Sequence, residues 1–321
     1  MKSKLMTVIV MLCVVIIPFV GASTRGIEKS HSDAAVRPAP QTSATYRVVL
    51  NGFRANRETY DTAFETDGKG DEVFIVSEAG AINGSGEMVQ RFSRRSKVYG
   101  DINGFSDRVQ AGFRSDQGGL KTDDRYPADR DLLQPRPAGA PIFDDRIPML
   151  LWQGELFPDQ NAVVIMPTIW EWDLRSMEFP APGRPISHAT DPALLLRERF
   201  DRWLGGPFGR FVIRNRRTFT TPYIGTGEHT GVVRERSDAD IFTMGTNGTR
   251  IIGLRPHERL YNTDILEPVA LILTQAAAEQ ALRSGNGVFR MTYEEPRCCG
   301  LEGSYTLYLQ LERMPSVTVG P

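Results

Sequence analysis

The chain has 321 residues, 40% of them hydrophobic and 24% charged, with 38 Lys and Arg against 39 Asp and Glu. That composition belongs to a folded globular protein and excludes disordered, collagenous and coiled-coil chains. The near-neutral balance excludes a dedicated nucleic-acid binder, which carries a basic excess.

Lys2 and Lys4 precede an apolar run from Leu5 to Val20, followed by Gly21, Ala22 and Ser23. A basic head, an apolar stretch and a small-residue exit predict a secretory signal peptide over residues 1–22, cut after Ala22. The alternative is an uncleaved anchor, since the run nears the ~20 residues that span a bilayer. Cys13 lacks the Gly/Ala neighbours of a lipoprotein cut. Removing Lys2 and Lys4 leaves 36 basic against 39 acidic residues, a net charge of −3. The expected location is secreted or periplasmic, in a bacterium, with no membrane contact after cleavage and no nucleic-acid partner.

Ser23 to Thr45 is polar and Pro-containing, and reads as a flexible tether. A single domain is expected over 46–314, with 315–321 as a tail. Tyr46 to Leu50 predicts a strand closed by Asn51-Gly52, and Glu72 to Val76 a second. Residues 99–147 are rich in Gly, Asp, Arg and Pro and form a long irregular insertion. Strands return at Met149–Trp152 and Ala162–Pro167. Thr190 or Asp191 can cap a helix that Pro192 opens, carrying Leu195, Leu196, Phe200 and Trp203, which Gly205-Gly206 ends. Phe211 to Ile213 reads as strand. A second helix is expected over Gln275–Arg283, capped by Thr274 and stopped by Gly285. From Gly303 to Glu312, Tyr305, Leu307, Leu309 and Leu311 alternate with polar residues, predicting a strand with one face in a core and one in water. Without strand–helix alternation, the fold class is mainly β: an antiparallel β-sandwich with a long irregular insertion and two short helices on connections.

Several catalytic patterns are missing from the sequence. There is no phosphate-binding G-x-x-x-x-G-K-[ST] loop and no G-x-S-x-G elbow. His257-Glu258 begins a zinc-protease pattern, but Tyr261 stands where the second imidazole belongs. The acidic stretch Asp67-Gly68-Lys69-Gly70-Asp71-Glu72 fits calcium better, because loop carboxylates beside glycines supply the oxygens this ion needs. It is not an EF-hand loop: Lys69 replaces a liganding Asp and Glu72 the turn Gly. Asp67, Asp71 and Glu72 are the candidate metal ligands, with a solvated turn as the alternative.

Trp170-Glu171-Trp172-Asp173 places Glu171 and Asp173 on one strand face and both indoles on the other. Paired carboxylates suit glycoside hydrolysis, which needs ~5–9.5 Å between them. Packed indoles with the acids facing water or a cation is the simpler expectation. The Arg214–Arg217 run reads as a solvated face, and Cys298-Cys299 as free thiols, because adjacent cysteines close only a strained ring.

Blocks from Glu58 to Phe74, Trp152 to Leu156, Pro167 to Asp173 and Gly303 to Tyr308 resemble those of uncharacterised exported bacterial β-sandwich proteins. The acidic loops between strands resemble C2-like calcium-binding sandwiches at the level of fold, from which the two helices and the 99–147 insertion depart. The resemblance implies calcium as a cofactor and names no substrate. The expected function is that of a secreted, non-enzymatic binding protein with a protein or glycan partner. A carbohydrate-active hydrolase using Glu171 and Asp173 is the alternative.

Overall fold

A computed structural model describes residues 42–59, 70–100, 108–112, 118–172, 192–225, 249–252, 269–294 and 303–315. The signal segment and most of the tether therefore lie outside the described residues, as do Asp67, Asp173, His257 and both cysteines of the 298–299 pair.

The strands run, in chain order, β1 (Ala44–Arg57), β2 (Val73–Ile82), β3 (Met88–Arg95), β4 (Val98–Tyr99), β5 (Arg108–Val109), β6 (Arg125–Tyr126), β7 (Met149–Leu156), β8 (Ala162–Trp172), β9 (Tyr223–Gly225), β10 (Thr249–Ile252), β11 (Ala270–Leu273), β12 (Val288–Glu294) and β13 (Ser304–Arg313). The helices are α1 (Pro192–Gly205), α2 (Pro207–Asn215) and α3 (Gln275–Ser284). The first sheet has the order β12-β13-β1-β6, with β7 also pairing β1. The second has the order β5-β4-β2-β8-β11-β9, with β10 beside β8 and β3 beside β2. Every named pair is antiparallel except β4–β5. The fold is a mainly β sandwich with helices on its connections.

Two apolar layers hold it. Between the sheets, Val48, Leu50, Phe53, Leu307 and Leu309 meet Ile75, Val163, Ile165 and Leu271. On the far side of the second sheet, Phe74, Val76, Met166 and Trp170 pack against Leu196, Phe200, Phe208 and Val212 of α1 and α2. The alternate residues of β2 and β8 thus serve different layers, and both faces of these strands are buried.

Three expectations are corrected by this layering. β1 does not close at Asn51-Gly52: a bulge between Leu50 and Gly52 carries it on to Arg57. Gly52 is required there, since a Cβ would lie 2.4 Å from the Tyr126 carbonyl oxygen and 2.5 Å from Leu132 Cδ2. Phe211–Ile213 is helical, within α2, because Pro207 sets a first turn and Phe208 and Val212 recur at i and i+4 on the buried face. The polar face of β13 is covered rather than wet, with Thr306, Tyr308 and Gln310 all buried.

The cover on β13 is the insertion. Its start adds β5 to the second sheet and Leu120 bridges to Asp71, whereas the stretch from Asp123 to Arg136 crosses the first sheet with Leu132 buried. Arg136 pins it down. The Arg136 amide donates to Gln310 Oε1 (2.7 Å) and its Nη2 to Glu312 Oε1 (2.8 Å), with the side chain 1% exposed. Gln310 Oε1 also accepts from Asn51 Nδ2 at 2.7 Å.

Candidate functional site

At one end of the sandwich four strand ends meet. β1 runs out into Glu58-Thr59, Asp71 lies two residues before β2, Glu171 is the last residue but one of β8, and Tyr305 is the second residue of β13. Asp71 Oδ2 accepts from the Thr59 amide (2.8 Å) and from Tyr305 Oη (2.5 Å), while Oδ1 accepts from Thr59 Oγ1 (2.7 Å). Thr59 Oγ1 also contacts Glu171 Oε1. Asp71, Glu72 and Glu171 are all buried. Burial, then the Asp71, Glu171 and Glu58 carboxylates, hold the Tyr305 phenol far above its ordinary range, so it stays a donor.

The Thr59 hydroxyl has one hydrogen and lies against two carboxyl oxygens. It donates to one of them at a time and brings the other into contact. The structure therefore joins Asp71 to Glu171, residues 100 positions apart in sequence. Glu72 is extended chain next to Asp71 and shares the other strand face, with Phe74, so the two carboxylates do not converge. Among the described residues no group of three or more His, Cys, Asp and Glu side chains is placed to hold a metal ion.

The acids of residues 170–173 are expected to face water or a loop cation while the indoles pack inward; exposure to water is corrected for Glu171. Trp170 is buried towards α1, and Glu171 is buried too, at 2% exposure. A central strand covered on both faces leaves no wet side for the carboxylate.

A second arrangement lies on the outer face of the first sheet, where the insertion crosses β1 and β13. A cleft of about 670 Å³ is walled by Arg54, Tyr308 and the segment from Asp123 to Leu133. Backbone bonds set one wall: Ala55 N donates to Asp124 O (2.8 Å) and Asp123 N to Ala55 O (2.7 Å). They hold Asp123 in the left-handed region, at φ 74°, which Asp tolerates better than most side chains. Arg54 Nη2 donates to Asp123 Oδ1 at 2.5 Å. Asp131 Oδ1 caps the Leu133 amide at 3.0 Å, and Arg125 Nε donates to the Ala128 carbonyl at 2.9 Å.

Four carboxylates line the cleft, from Asp123, Asp124, Asp129 and Asp131, against two guanidinium groups, from Arg54 and Arg125. Asp124 is 2% exposed; its Oδ2 accepts from the Lys121 amide (2.8 Å), whereas Oδ1 is buried without a hydrogen-bond partner. Such an atom is rare in a folded protein and marks a place where a donor belongs. The cleft offers acceptors in excess, a few donors and the ring of Tyr308.

None of these cleft residues stands out in the sequence as a candidate. The available signal was the density of Asp and Arg from Asp123 to Arg136, inside a segment readable only as a long loop. Comparison with protein-family models, with curated proteins and with solved structures finds no match.

Proposed function

We propose that the protein is an exported, non-enzymatic binding module that holds a glycan in the cleft between Tyr308, Arg54 and the aspartates of the insertion. The cleft carries this reading. Its volume is that of small-ligand pockets, ~300–1,000 Å³. Sugar hydroxyls donate as well as accept, which matches an acceptor-rich wall with two guanidinium donors, and Tyr308 adds a phenol that does both. The excess of carboxylates favours neutral or basic sugars over acidic ones. Export is supported by the basic, apolar and small-residue order of residues 1–22. Binding rather than hydrolysis is supported by the burial of Glu171 behind Thr59, where no polymer reaches it.

The test is titration of a glycan panel into the full mature chain, Tyr308→Phe and Asp129→Asn. Loss of one such contact weakens binding by about tenfold, the worth of ~1.4 kcal/mol. The same panel incubated with wild type and Glu171→Gln yields no cleavage product. A product lost in Glu171→Gln identifies a hydrolase and overturns the reading.

A second reading, calcium at the acidic end, is favoured by the approach of the Asp71 and Glu171 carboxyl groups to one Thr59 hydroxyl. Of the other candidates, Asp67 lies outside the described residues and Glu72 is on the other face of the strand. Extracellular calcium modules bind at ~10⁻⁴–10⁻³ M. At about ten times its dissociation constant, calcium then stabilises the fold by ~1.4 kcal/mol. Thermal unfolding in millimolar calcium against EDTA, for wild type and Asp71→Asn, reads this out. A wild type that does not respond to millimolar calcium overturns this second reading.

A further inference from the structure

The helical cover of the second sheet, on the opposite side of the sandwich from the cleft, carries an unusual charge distribution. In a chain with 38 basic and 39 acidic residues, residues 207–217 hold Arg210, Arg214, Arg216 and Arg217 and no acid. Helix α2 is fixed by its apolar side: Phe208 and Val212 are buried against the second sheet. That leaves Arg210 and Arg214 exposed on the outer side, with Arg217 exposed in the turn that follows. Steps of four and three residues put the three guanidinium groups in one row along the axis.

The row lacks partners, as Arg202 and Arg290 do, but this stretch alone puts four arginines within eight residues without an acid among the described residues. Arg47 and Arg136 bond Glu312, Arg54 bonds Asp123 and Arg91 bonds Asp201. Within α2's own turn, Arg216 donates to the carbonyls of Asp159 (3.0 Å) and Ile213 (2.6 Å). Arg210, Arg214 and Arg217 make no ion pair and no side-chain hydrogen bond among the described residues. Arg214 in the last turn complements the helix dipole; the other two find no such compensation, and the row repels itself. A row of free planar forks is suited to bidentate pairing with successive carboxylate or sulfate groups.

We propose that the α2 arginine row docks a linear acidic polysaccharide, one bearing anionic groups along its chain. A lipid surface fits less well, because interfacial helices insert an apolar face and that of α2 is already used against the sheet. Thr220 and Thr221, exposed just beyond the row, extend it with hydroxyl groups suited to sugar. The proposal stands apart from the cleft, whose acidic lining would repel the same polymer.

The test uses immobilised polygalacturonate and heparin, with dextran and duplex DNA as controls, and the full mature chain. The variants are Arg210→Gln/Arg214→Gln/Arg217→Gln and, away from α2, Arg283→Gln/Arg290→Gln. Wild type should bind at least one acidic polysaccharide and not dextran, with affinity falling roughly tenfold between ~50 and ~200 mM salt, as counter-ion release from two to three contacts gives. The triple variant should lose at least tenfold in affinity at the lower salt with an unchanged melting temperature, and the control double should bind as wild type. Equal binding by wild type and triple, an equal loss in the control double, no binding to either polysaccharide, or equally tight binding to duplex DNA would each overturn the proposal.

Discussion

Replacing Tyr305 by Phe removes one oxygen and keeps the ring. That oxygen donates to Asp71 Oδ2 at 2.5 Å in a fully buried site, so the variant deletes a hydrogen bond to a buried carboxyl group. Such bonds are worth ~1.5–3 kcal/mol, and the two donors of Thr59 stay with Asp71 in the variant. For the unit Pro40–Pro321, an unfolding entropy of ~2.1 cal/mol/K per residue converts this to a melting temperature lower by about 2.5–5 °C. Thermal unfolding of wild type, Tyr305→Phe, Asp71→Asn and the double variant closes a cycle, with a coupling of at least ~1 kcal/mol expected. A Tyr305→Phe protein that melts with the wild type, or additive effects in the double, would refute the idea that this bond ties β13 to the start of β2.

Glu78 lies buried under α1, with Oε1 accepting from Ser93 Oγ at 2.5 Å and Oε2 3.9 Å from Arg91 Nη1. Burial raises its pKa above the ordinary 4.5, and Ser93, Arg91 and Arg197 offset this only in part. A raised folded-state pKa means that the stability Glu78 contributes is fully present below 4.5 and is lost as pH rises through the folded value. Glu78→Gln should therefore melt above the wild type at neutral pH and with it near pH 4; an advantage independent of pH would contradict this. Gly119, at φ 81°, has no room for a Cβ, which would sit 2.3 Å from the Gly70 amide nitrogen. Gly119→Ala should destabilise by ~2 kcal/mol or more, read by denaturant unfolding, and a neutral result would mean the insertion is not anchored at Gly70.

What the sequence discloses follows from how local each determinant is. Helix α3 is legible because its determinants are adjacent: Thr274 Oγ1 accepts from the Ala277 amide, and Gly285 stands at the far end. The end of α1 at Gly205 is legible for the same reason. Helix α2 is not, since three apolar residues in a row fit strand and helix alike until Phe208 and Val212 are seen on one buried face. The alternation of β13 marks a strand correctly but misplaces its polar face. Gln310 and Glu312 are covered by Arg136, more than 170 residues away. Long-range covering also explains the acidic stretch. Asp71 and Glu72 sit beside glycines as a turn does, yet Thr59, Tyr305 and Leu120 enclose Asp71 from three distant segments. The cleft was illegible because its walls come from β1, β13 and the insertion, and no single stretch carries the pattern.

Hydrogen–deuterium exchange with and without a glycan selected from the binding panel tests the central claim most directly, because it locates the ligand. If the cleft is the site, protection rises in peptides spanning Lys121–Leu133 and in those containing Arg54 and Tyr308, and α1, α2 and the Thr59–Asp71 end stay unchanged. Saturable binding with protection confined to any other part of the sandwich, and none at Lys121–Leu133, would contradict it.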